Sequence, residues 1–223
     1  MDDDRKWQAK AQDTGFFKFW VYGYTGKGVI FLDTPVDILP TVSNVYQTKD
    51  MSVHAPGAII LLTEIFAASV TIWDYSIRAA GSTKDIFKYG SHAWPFTALS
   101  AGGVIDRKHY DITTSGLTWK AIGYIKEDAT TDINPAAVAG IPLNTWISKV
   151  SNLGNPDAQF TFVEIYCALG FDIHAMRKAE SAQDLKRSAD YHGWWIANLR
   201  IDGSADYWIS RAGSFFYVLG ETH

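Results

Sequence analysis

Several carboxylates stand at spacings that could support proton transfer. Asp172 lies two positions before His174, and Asp190 lies two positions before His192. In a strand, residues i and i+2 share a face, so each pair could act as a general acid and base. Glu164 is a third candidate, because it is a carboxylate on a segment otherwise lined with aromatic residues. An ordinary inter-strand ion pair would account for a carboxylate at this position equally well. Glu164, Asp172 or His174 would be the acid or base of a small enzyme with a cleft between sheets, if the fold brings them together.

Other catalytic and cofactor motifs are incomplete. Residues 25–28 (TGKG) lack the first glycine and the final hydroxyl of a P-loop, and the strand-like VIFLD follows them, so we interpret them as a hairpin turn. Cys167 falls on the apolar side of its segment, where a thiol is inert. The six histidines are scattered without metal-binding spacing, and the acidic stretch EDATTDIN lacks the residue order of a calcium loop. We therefore predict no catalytic residue, no cofactor and no metal.

Aromatic residues give the clearest signal for binding. The chain has nine Trp, eleven Tyr and twelve Phe, and the C-terminal segments place large rings on both faces of consecutive strands. Surplus rings must enter a second core, an interface or a ligand site. Core packing in a two-layered sandwich remains the alternative. The residues predicted to bind a partner are Trp7, Trp194, Trp195, Tyr207 and Trp208.

The elements that must position these residues are strands. Runs rich in aromatic and β-branched residues recur from residue 15 onward at the spacing of a sandwich or barrel. Alternation is clearest at residues 117–126 and 158–169, where apolar side chains fall on one face and Lys120 or Glu164 on the other. The prediction is a mainly β protein, an antiparallel β-sandwich or jelly roll. The turn-rich residues 127–157 could mark a boundary between two sheets.

One or two peripheral helices are expected beside the strands. Residues 174–192 lack β-branched residues and are rich in Ala, Gln, Lys and Arg, which favours a surface helix. Residues 2–13 could form a short helix, while periodicity cannot decide residues 57–69. The expected organisation is an N-terminal arm at residues 1–14 and a single β-rich domain at residues 15–223.

Composition and charge exclude several classes of protein. Hydrophobic residues make up 47% of the 223 positions and charged residues 20%, as in a packed globular protein. The net charge of −4 argues against a nucleic-acid partner. The longest apolar run, residues 55–72, is broken by Glu64 and several hydroxyl residues, so no membrane association is expected. A single cysteine and an acidic N-terminus without an apolar stretch suit synthesis in a reducing cytoplasm.

Residues 59–90 (IILLTEIFAASVTIWDYSIRAAGSTKDIFKYG) combine a strand, a turn of small residues, VTIWD, a later glycine and another strand. This order resembles β-sandwich domains of bacteriophage virion proteins, in which VTIYD-type strands recur in head, neck and tail components. The resemblance covers about a seventh of the chain and transfers no catalytic or binding residue. It implies a structural protein that assembles into symmetric rings or spikes, made in the host cytoplasm and located in the virion.

The resulting hypothesis is a non-enzymatic virion structural subunit that self-assembles through its β-sandwich and its N-terminal arm. Its partners would be further copies of itself and other virion proteins. A carbohydrate- or receptor-binding sandwich, with exposed Trp and Tyr rings stacking on a glycan, is the first alternative. A small enzyme with an acid/base cleft between sheets is the second.

Overall fold

A computed structural model describes residues 28–67, 74–85, 92–113, 116–126, 128–151, 153, 157–170, 172–182, 184, 186–189 and 192–222. This part of the chain is all β, and its strands pair antiparallel without any helix. The strands of the first half are β1 (Val29–Asp37), β2 (Gln47–Asp50), β3 (Ile60–Phe66), β4 (Tyr75–Ala79), β5 (His92–Ala93), β6 (Phe96–Ala98), β7 (Val104–His109) and β8 (Thr118–Ile125). The strands of the second half are β9 (Ala129–Thr131), β10 (Ile147–Val150), β11 (Phe160–Cys167), β12 (Asp172–Lys178), β13 (Arg187–Ala189), β14 (His192–Asn198), β15 (Ser204–Ile209) and β16 (Ser214–Thr222).

Each half is a sandwich of two sheets. In the first half, sheet A has the order β1-β8-β3 with β5 and β6 both pairing β3, and sheet B has the order β2-β7-β4. In the second half, sheet C has the order β9-β16-β11-β14, and sheet D has the order β10-β15-β12-β13. Numbered within the second half, these orders are 1-8-3-6 and 2-7-4-5, the arrangement of a jelly roll. The predicted antiparallel sandwich or jelly roll is confirmed.

The two halves repeat one another in register. Corresponding residues are about 100 positions apart, the size of a small domain. The bulge in the β3–β8 pair lies after Leu62, and the bulge in the β11–β16 pair lies after Phe162. Asn44 and Asn144 both have positive φ (56° and 55°) in the turns that lead to β2 and β10. The chain is therefore a tandem of two sandwiches with the same topology.

Each half also encloses its own hydrophobic core. Trp119, Tyr75 and Ile65 belong to the first core, between sheets A and B. Phe216 and Ile165 belong to the second core. A third cluster, the junction cluster, joins the halves and comprises the buried residues Ile60, Leu62, Ile125 and Phe162. The prediction of a single domain at residues 15–223 stays a prediction, and the arm at residues 1–14, with Trp7, lies outside the described residues.

The helix predicted at residues 174–192 is wrong. Its first part belongs to β12 and a later part to β13, and β12 pairs with β15 from His174 to Lys178. His174 and Met176 are buried, and Arg177 reaches Asp206 of β15 with its Nε 2.9 Å from Oδ2. Pairing and burial therefore override helix propensity, which is a weak preference worth less than about 1 kcal/mol per residue. The possible helix at residues 2–13 lies outside the described residues.

Strand alternation is confirmed where it was clearest. Trp119 and Ala121 of β8 are buried in the first core while Lys120 is exposed. Val163, Ile165 and Cys167 of β11 are buried in the second core. Leu169, expected to share that face, is 68% exposed because β11 ends at Cys167 and a turn follows. The undecided apolar segment at residues 57–69 contains the strand β3.

Candidate functional site

The repeat places the same combination of side chains on the outer face of each half. We call Glu64, Phe66, His92 and Trp94 the first quartet, and Glu164, Tyr166, His192 and Trp194 the second quartet. In β3 and β11 the acid and the aromatic residue are two positions apart, so they share a face. Register then brings the histidine beside them, because Phe66 pairs with His92 and Tyr166 pairs with His192. Ile65, Ala93 and Ile165 point the other way, into the cores.

The first quartet lies open at the surface. His92 Nε2 is 2.8 Å from Glu64 Oε1, and both side chains are about two-fifths exposed (41% and 37%). The imidazole ring is 4.2 Å from the Trp94 ring and meets Phe66 edge-on at 5.3 Å. Trp94 is 51% exposed and Phe66 is 43% exposed. The result is an accessible surface of large rings with a carboxylate–imidazole pair in its centre.

The second quartet has the same composition but is covered. His192 Nε2 is 3.7 Å from Glu164 Oε1, with side-chain exposures of 0% and 4%. The imidazole is 5.0 Å from the Tyr166 ring and stacks 6.3 Å from the Trp194 ring. Trp194 packs against the core of the first half. Burial, and next the charge of Glu164, raises the pKa of Tyr75 in the first half well above its usual range. The outer face of sheet C therefore contacts protein where sheet A contacts solvent.

Further contacts fix this junction between the halves. Phe96 of β6 meets Phe162 of β11 edge-on, with ring centroids 5.7 Å apart. The side-chain oxygen of Asn134 accepts hydrogen bonds from the Ser82 hydroxyl at 3.0 Å and the Thr83 backbone N–H at 2.8 Å. Since apolar and polar contacts come from both halves, the junction is a specific interface rather than a loose linker contact.

A small cavity of about 30 Å³ lies in the junction. Arg78, Lys84, Asp132 and Glu164 are among its lining residues, so charged groups of both signs border it beside apolar side chains. Its volume suits about one water molecule, whereas ligand pockets typically measure about 300–1,000 Å³. The cavity therefore cannot hold a substrate of ordinary size.

His192 lies beside Glu164, but the remaining acid/base candidates do not. Asp172 is buried on β12, where the hydroxyls of Ser210 and Ser214 donate hydrogen bonds to it. His174 is buried edge-on against Trp195 at 5.5 Å. Asp190 lies outside the described residues. Sheet D carries Asp172 and His174 while sheet C carries Glu164, so the predicted cleft does not form in the described part of the chain.

Cys167 is confirmed as a core thiol. It is 1% exposed, and burial raises its pKa to about 11. A thiol with so high a pKa is protonated at neutral pH and is a poor nucleophile. Within the described residues, no group of three or more His, Cys, Asp or Glu is placed to hold a metal ion. Nor does that part of the chain contain a helix long and apolar enough to span a membrane.

The outer faces of sheets B and D carry a second repeated feature. Arg78 stacks over the Tyr46 ring at 3.8 Å, and Arg177 stacks over the Trp146 ring at 3.9 Å. An acid holds each ring in place. The Tyr46 hydroxyl donates a hydrogen bond to Asp85, and the Trp146 Nε1–H donates one to Asp184. Burial, and then the hydrogen bond to Asp85, raises the pKa of Tyr46 to about 12. Because the guanidinium groups already cover these rings, we interpret both features as structural clamps.

The residues predicted to bind a partner lie mostly inside the protein. Trp195 and Tyr207 are in the second core, at 6% and 1% exposure. Trp208 is 8% exposed, and the Lys186 Nζ lies 4.7 Å from its ring. Trp194 belongs to the second quartet, at the junction. Trp7 lies outside the described residues. Their role in binding stays a prediction.

Sequence reasoning missed the first quartet. The signal was a comparison of the chain with itself at a spacing of about 100 residues, the length of a typical small domain. EIF and EIY then align at residues 64–66 and 164–166, and HAW and HGW align at residues 92–94 and 192–194. A search restricted to shorter repeats could not find these pairs.

Comparison with known proteins adds little. No family model matches the chain, and no curated protein matches it. Among solved structures, the chain is similar to the N-terminal tandem of two carbohydrate-binding modules, CBM22-1 and CBM22-2, of Paenibacillus barcinonensis Xyn10C. The identity is 6%, the TM-score is 0.20, and the match covers 89% of this chain and 92% of that chain. A similarity this weak supports no argument about function, so the function has to be inferred from the site itself.

Proposed function

We propose that this chain is a non-enzymatic structural subunit that self-associates through an outer sheet face. The observation that supports this proposal is the contrast between the quartets. The second quartet is covered by a sandwich of the same topology, whereas the first quartet exposes Phe66 and Trp94 to solvent. The kinds of side chain that pack against protein in the second half are therefore available for a protein contact in the first half.

The exposed rings form part of a larger apolar surface on sheet A. Ile30 packs against the first core, so alternation turns its neighbour Phe31 to the outer face, where it is 65% exposed. Phe31, Phe66 and Trp94 are the kinds of residues that are enriched at protein interfaces. The junction cavity is too small to be a substrate-binding cleft. A binding or assembly role fits the surface better than catalysis does.

The proposed setting is a virion, with synthesis in the host cytoplasm and other virion proteins as further partners. The resemblance of residues 59–90 to phage sandwich domains supports this setting, and jelly rolls are frequent in viral capsids. The N-terminal arm at residues 1–14, including Trp7, would add contacts to neighbouring copies, since an arm can bury a ring on an adjoining subunit.

Sedimentation velocity at micromolar concentrations tests self-association. The full chain is expected to form oligomers, and a variant lacking residues 1–13 is expected to associate more weakly. A full-length chain that stays monomeric would contradict the assembly proposal. Mass spectrometry of purified particles from the source would test the virion setting, because a structural subunit must be present there in many copies.

A second candidate function, glycan binding, is favoured by the geometry around Trp94. Its half-exposed ring lies beside the Glu64–His92 pair, so a sugar ring could stack on the indole while its hydroxyls donate to the carboxylate. Glycan-array binding that is lost in Trp94→Ala and kept in Tyr110→Ala would support this function. Tyr110 is a suitable control because it is 58% exposed but follows β7, away from sheet A.

A further inference from the structure

The exposed part of sheet A combines large rings with two opposite charges. On β8, Trp119 points into the first core, so Lys120 points outward, and it pairs directly with Glu64 of β3. We call Phe31, Glu64, Phe66, His92, Trp94 and Lys120 the docking face. Apart from His92, these six residues include one carboxylate and one ammonium group, and Lys120 pairs on its other side with Asp37 of β1.

We propose that the docking face pairs with the docking face of a second copy of this chain across a two-fold axis. The proposal rests on the self-association proposed above and specifies its surface and symmetry. A two-fold interface joins the same patch on both subunits, so each group must suit its own counterpart or a neighbour. Here the two-fold axis would pass between Glu64 and Lys120, which are cross-strand neighbours, so Glu64 of one copy lies opposite Lys120 of the other and the rings of both copies pack around these charges.

The junction indicates why a second copy is the occupant. The second quartet, with nearly the same side chains, is covered by a sandwich of this topology. The docking face also continues directly into the junction cluster, because Leu62 lies on β3 on the same side as Glu64, and its partner Phe96 follows Trp94 by two residues. A second copy would thus extend an apolar interface that the chain already contains.

The junction also indicates why the pairing is two-fold rather than head-to-tail. In the junction, the second half uses its whole outer face, including Phe162 and Glu164. A head-to-tail repeat of this contact between copies would require the whole outer face of the first half in the same way. Ile60 and Leu62 are already buried in the junction cluster, at 0% and 8% exposure. The free remainder of sheet A can meet its own copy without disturbing that cluster.

Charge reversal tests the pairing. Glu64→Lys and Lys120→Glu each place like charges opposite one another in a two-fold dimer, so each variant alone is expected to dissociate at least about tenfold more readily. An equimolar mixture of the two variants restores opposite charges in both positions and is expected to form a heterodimer with near wild-type affinity. Sedimentation velocity with one variant fluorescently labelled measures this directly.

Ring variants provide the second measurement. Trp94→Ala is expected to weaken the dimer by about 10- to 100-fold, because truncated interface tryptophans often cost this much. The matched control Tyr110→Ala removes an exposed ring elsewhere and should leave the dimer unchanged. Circular dichroism and urea unfolding of every variant show whether a loss of association reflects a loss of folding, and the mixture of two folded charge variants remains informative in either case.

The outcomes separate the two proposals. Association of the wild-type chain with rescue by mixing supports the two-fold pairing. Association that is insensitive to Trp94→Ala and to both charge variants, or charge variants that mixing fails to rescue, overturns the pairing but leaves self-association in place. A monomeric wild-type chain overturns both, and glycan binding lost in Trp94→Ala would then assign the face to a sugar.

Discussion

The two halves place nearly the same side chains in opposite environments. Glu164 and His192 are almost fully buried at the junction, while Glu64 and His92 are about two-fifths exposed. Strand register is the same in both halves, so backbone pairing does not cause the difference. It arises because the outer face of sheet C covers the first half, whereas the matching part of sheet A has no covering sandwich among the residues that the structure describes. The comparison teaches that a repeated motif acquires its role from what covers it.

One local sequence difference accompanies this asymmetry. The edge strand β14 is continuous over seven residues, but its counterpart in the first half is divided into β5 and β6 at Trp94 and Pro95. Proline has no backbone N–H, so it interrupts strand pairing. The Pro95 carbonyl instead accepts hydrogen bonds from Thr63, at 2.9 Å from the backbone N–H and 3.2 Å from the hydroxyl. The first half thus keeps its register but has a weaker edge beside the docking face.

The largest contrast is expected at the two glutamates. Glu164→Ala should lower the free energy of unfolding by about 3 kcal/mol, because it leaves buried polar groups without their carboxylate partner. Glu64→Ala removes an exposed pair and should cost less than about 1 kcal/mol. Urea denaturation at neutral pH measures both. Glu180→Ala, at an exposed ion pair with Arg200, serves as the control. Equal losses at Glu64 and Glu164 would contradict the burial difference.

The two tryptophans should differ in a similar way. Trp194→Ala removes a ring that packs against the first core and should cost about 2–3 kcal/mol, somewhat below the range for fully buried tryptophan. Trp94→Ala should cost less than about 1 kcal/mol in the monomer, because half of the ring is already in water. Thermal unfolding at low protein concentration checks this pair. A larger loss at Trp94 would mean that its ring supports the fold rather than an interface.

Glycines at corresponding positions on β8 and β16 sharpen the comparison further. A β-carbon on Gly123 would lie 2.7 Å from the Ile30 backbone oxygen, which cannot move easily. On Gly220 the nearest atom would be the Ile60 Cδ1 at 2.8 Å, at the end of a flexible side chain. Gly123→Ala should therefore cost about 2 kcal/mol and Gly220→Ala about 1 kcal/mol in urea denaturation.

Gly102→Ala is the matched control for these two variants. Its added β-carbon would lie 3.6 Å from the Val104 Cγ2, an ordinary contact. A cost at Gly102 as large as that at Gly123 would show that general backbone effects, rather than the close approach of β1, cause the loss.

The smallest effect is expected at the two clamps, and it depends on pH. The pKa of Tyr46 is raised from 10.0 to about 12 in the folded chain, so folding favours its protonated form. This contribution to stability is complete below pH 10 and is lost as the pH rises from about 10 to about 12. In Tyr46→Phe the free energy of unfolding should fall less steeply with pH in that interval, and the change in slope should correspond to about one proton. Trp146→Phe should leave the slope unchanged, since neither ring ionises.

The sequence was sufficient for strands whose alternation is strong. Residues 117–126 and 158–169 were placed correctly because each turns one apolar face into a core, and a shift of one residue would turn those side chains away from it. Residues 174–192 were misassigned because their composition favours a helix, whereas Met176 and Arg177 have their partners on β15, about thirty residues further along the chain. Local propensity contains no information about a partner so far away in the sequence.

The candidate site shows the same limit. Exposure of Trp94 and burial of Trp195 could not be read from the residues, because both are tryptophans in strand-like segments rich in aromatic residues. Which ring is covered depends on the packing of sheet C against the first half. The repeat itself was readable, since HAW and HGW stand at matching positions in the two halves.

By itself the sequence determined the mainly β class, the alternating faces and the core position of Cys167, because these depend on the period of apolar residues along one strand. Only the tertiary structure decided that the chain is a tandem of two sandwiches with the same topology, that the second quartet is covered and that the first is open. These features depend on contacts between residues far apart in the chain. Their energies depend on burial, which no single strand determines.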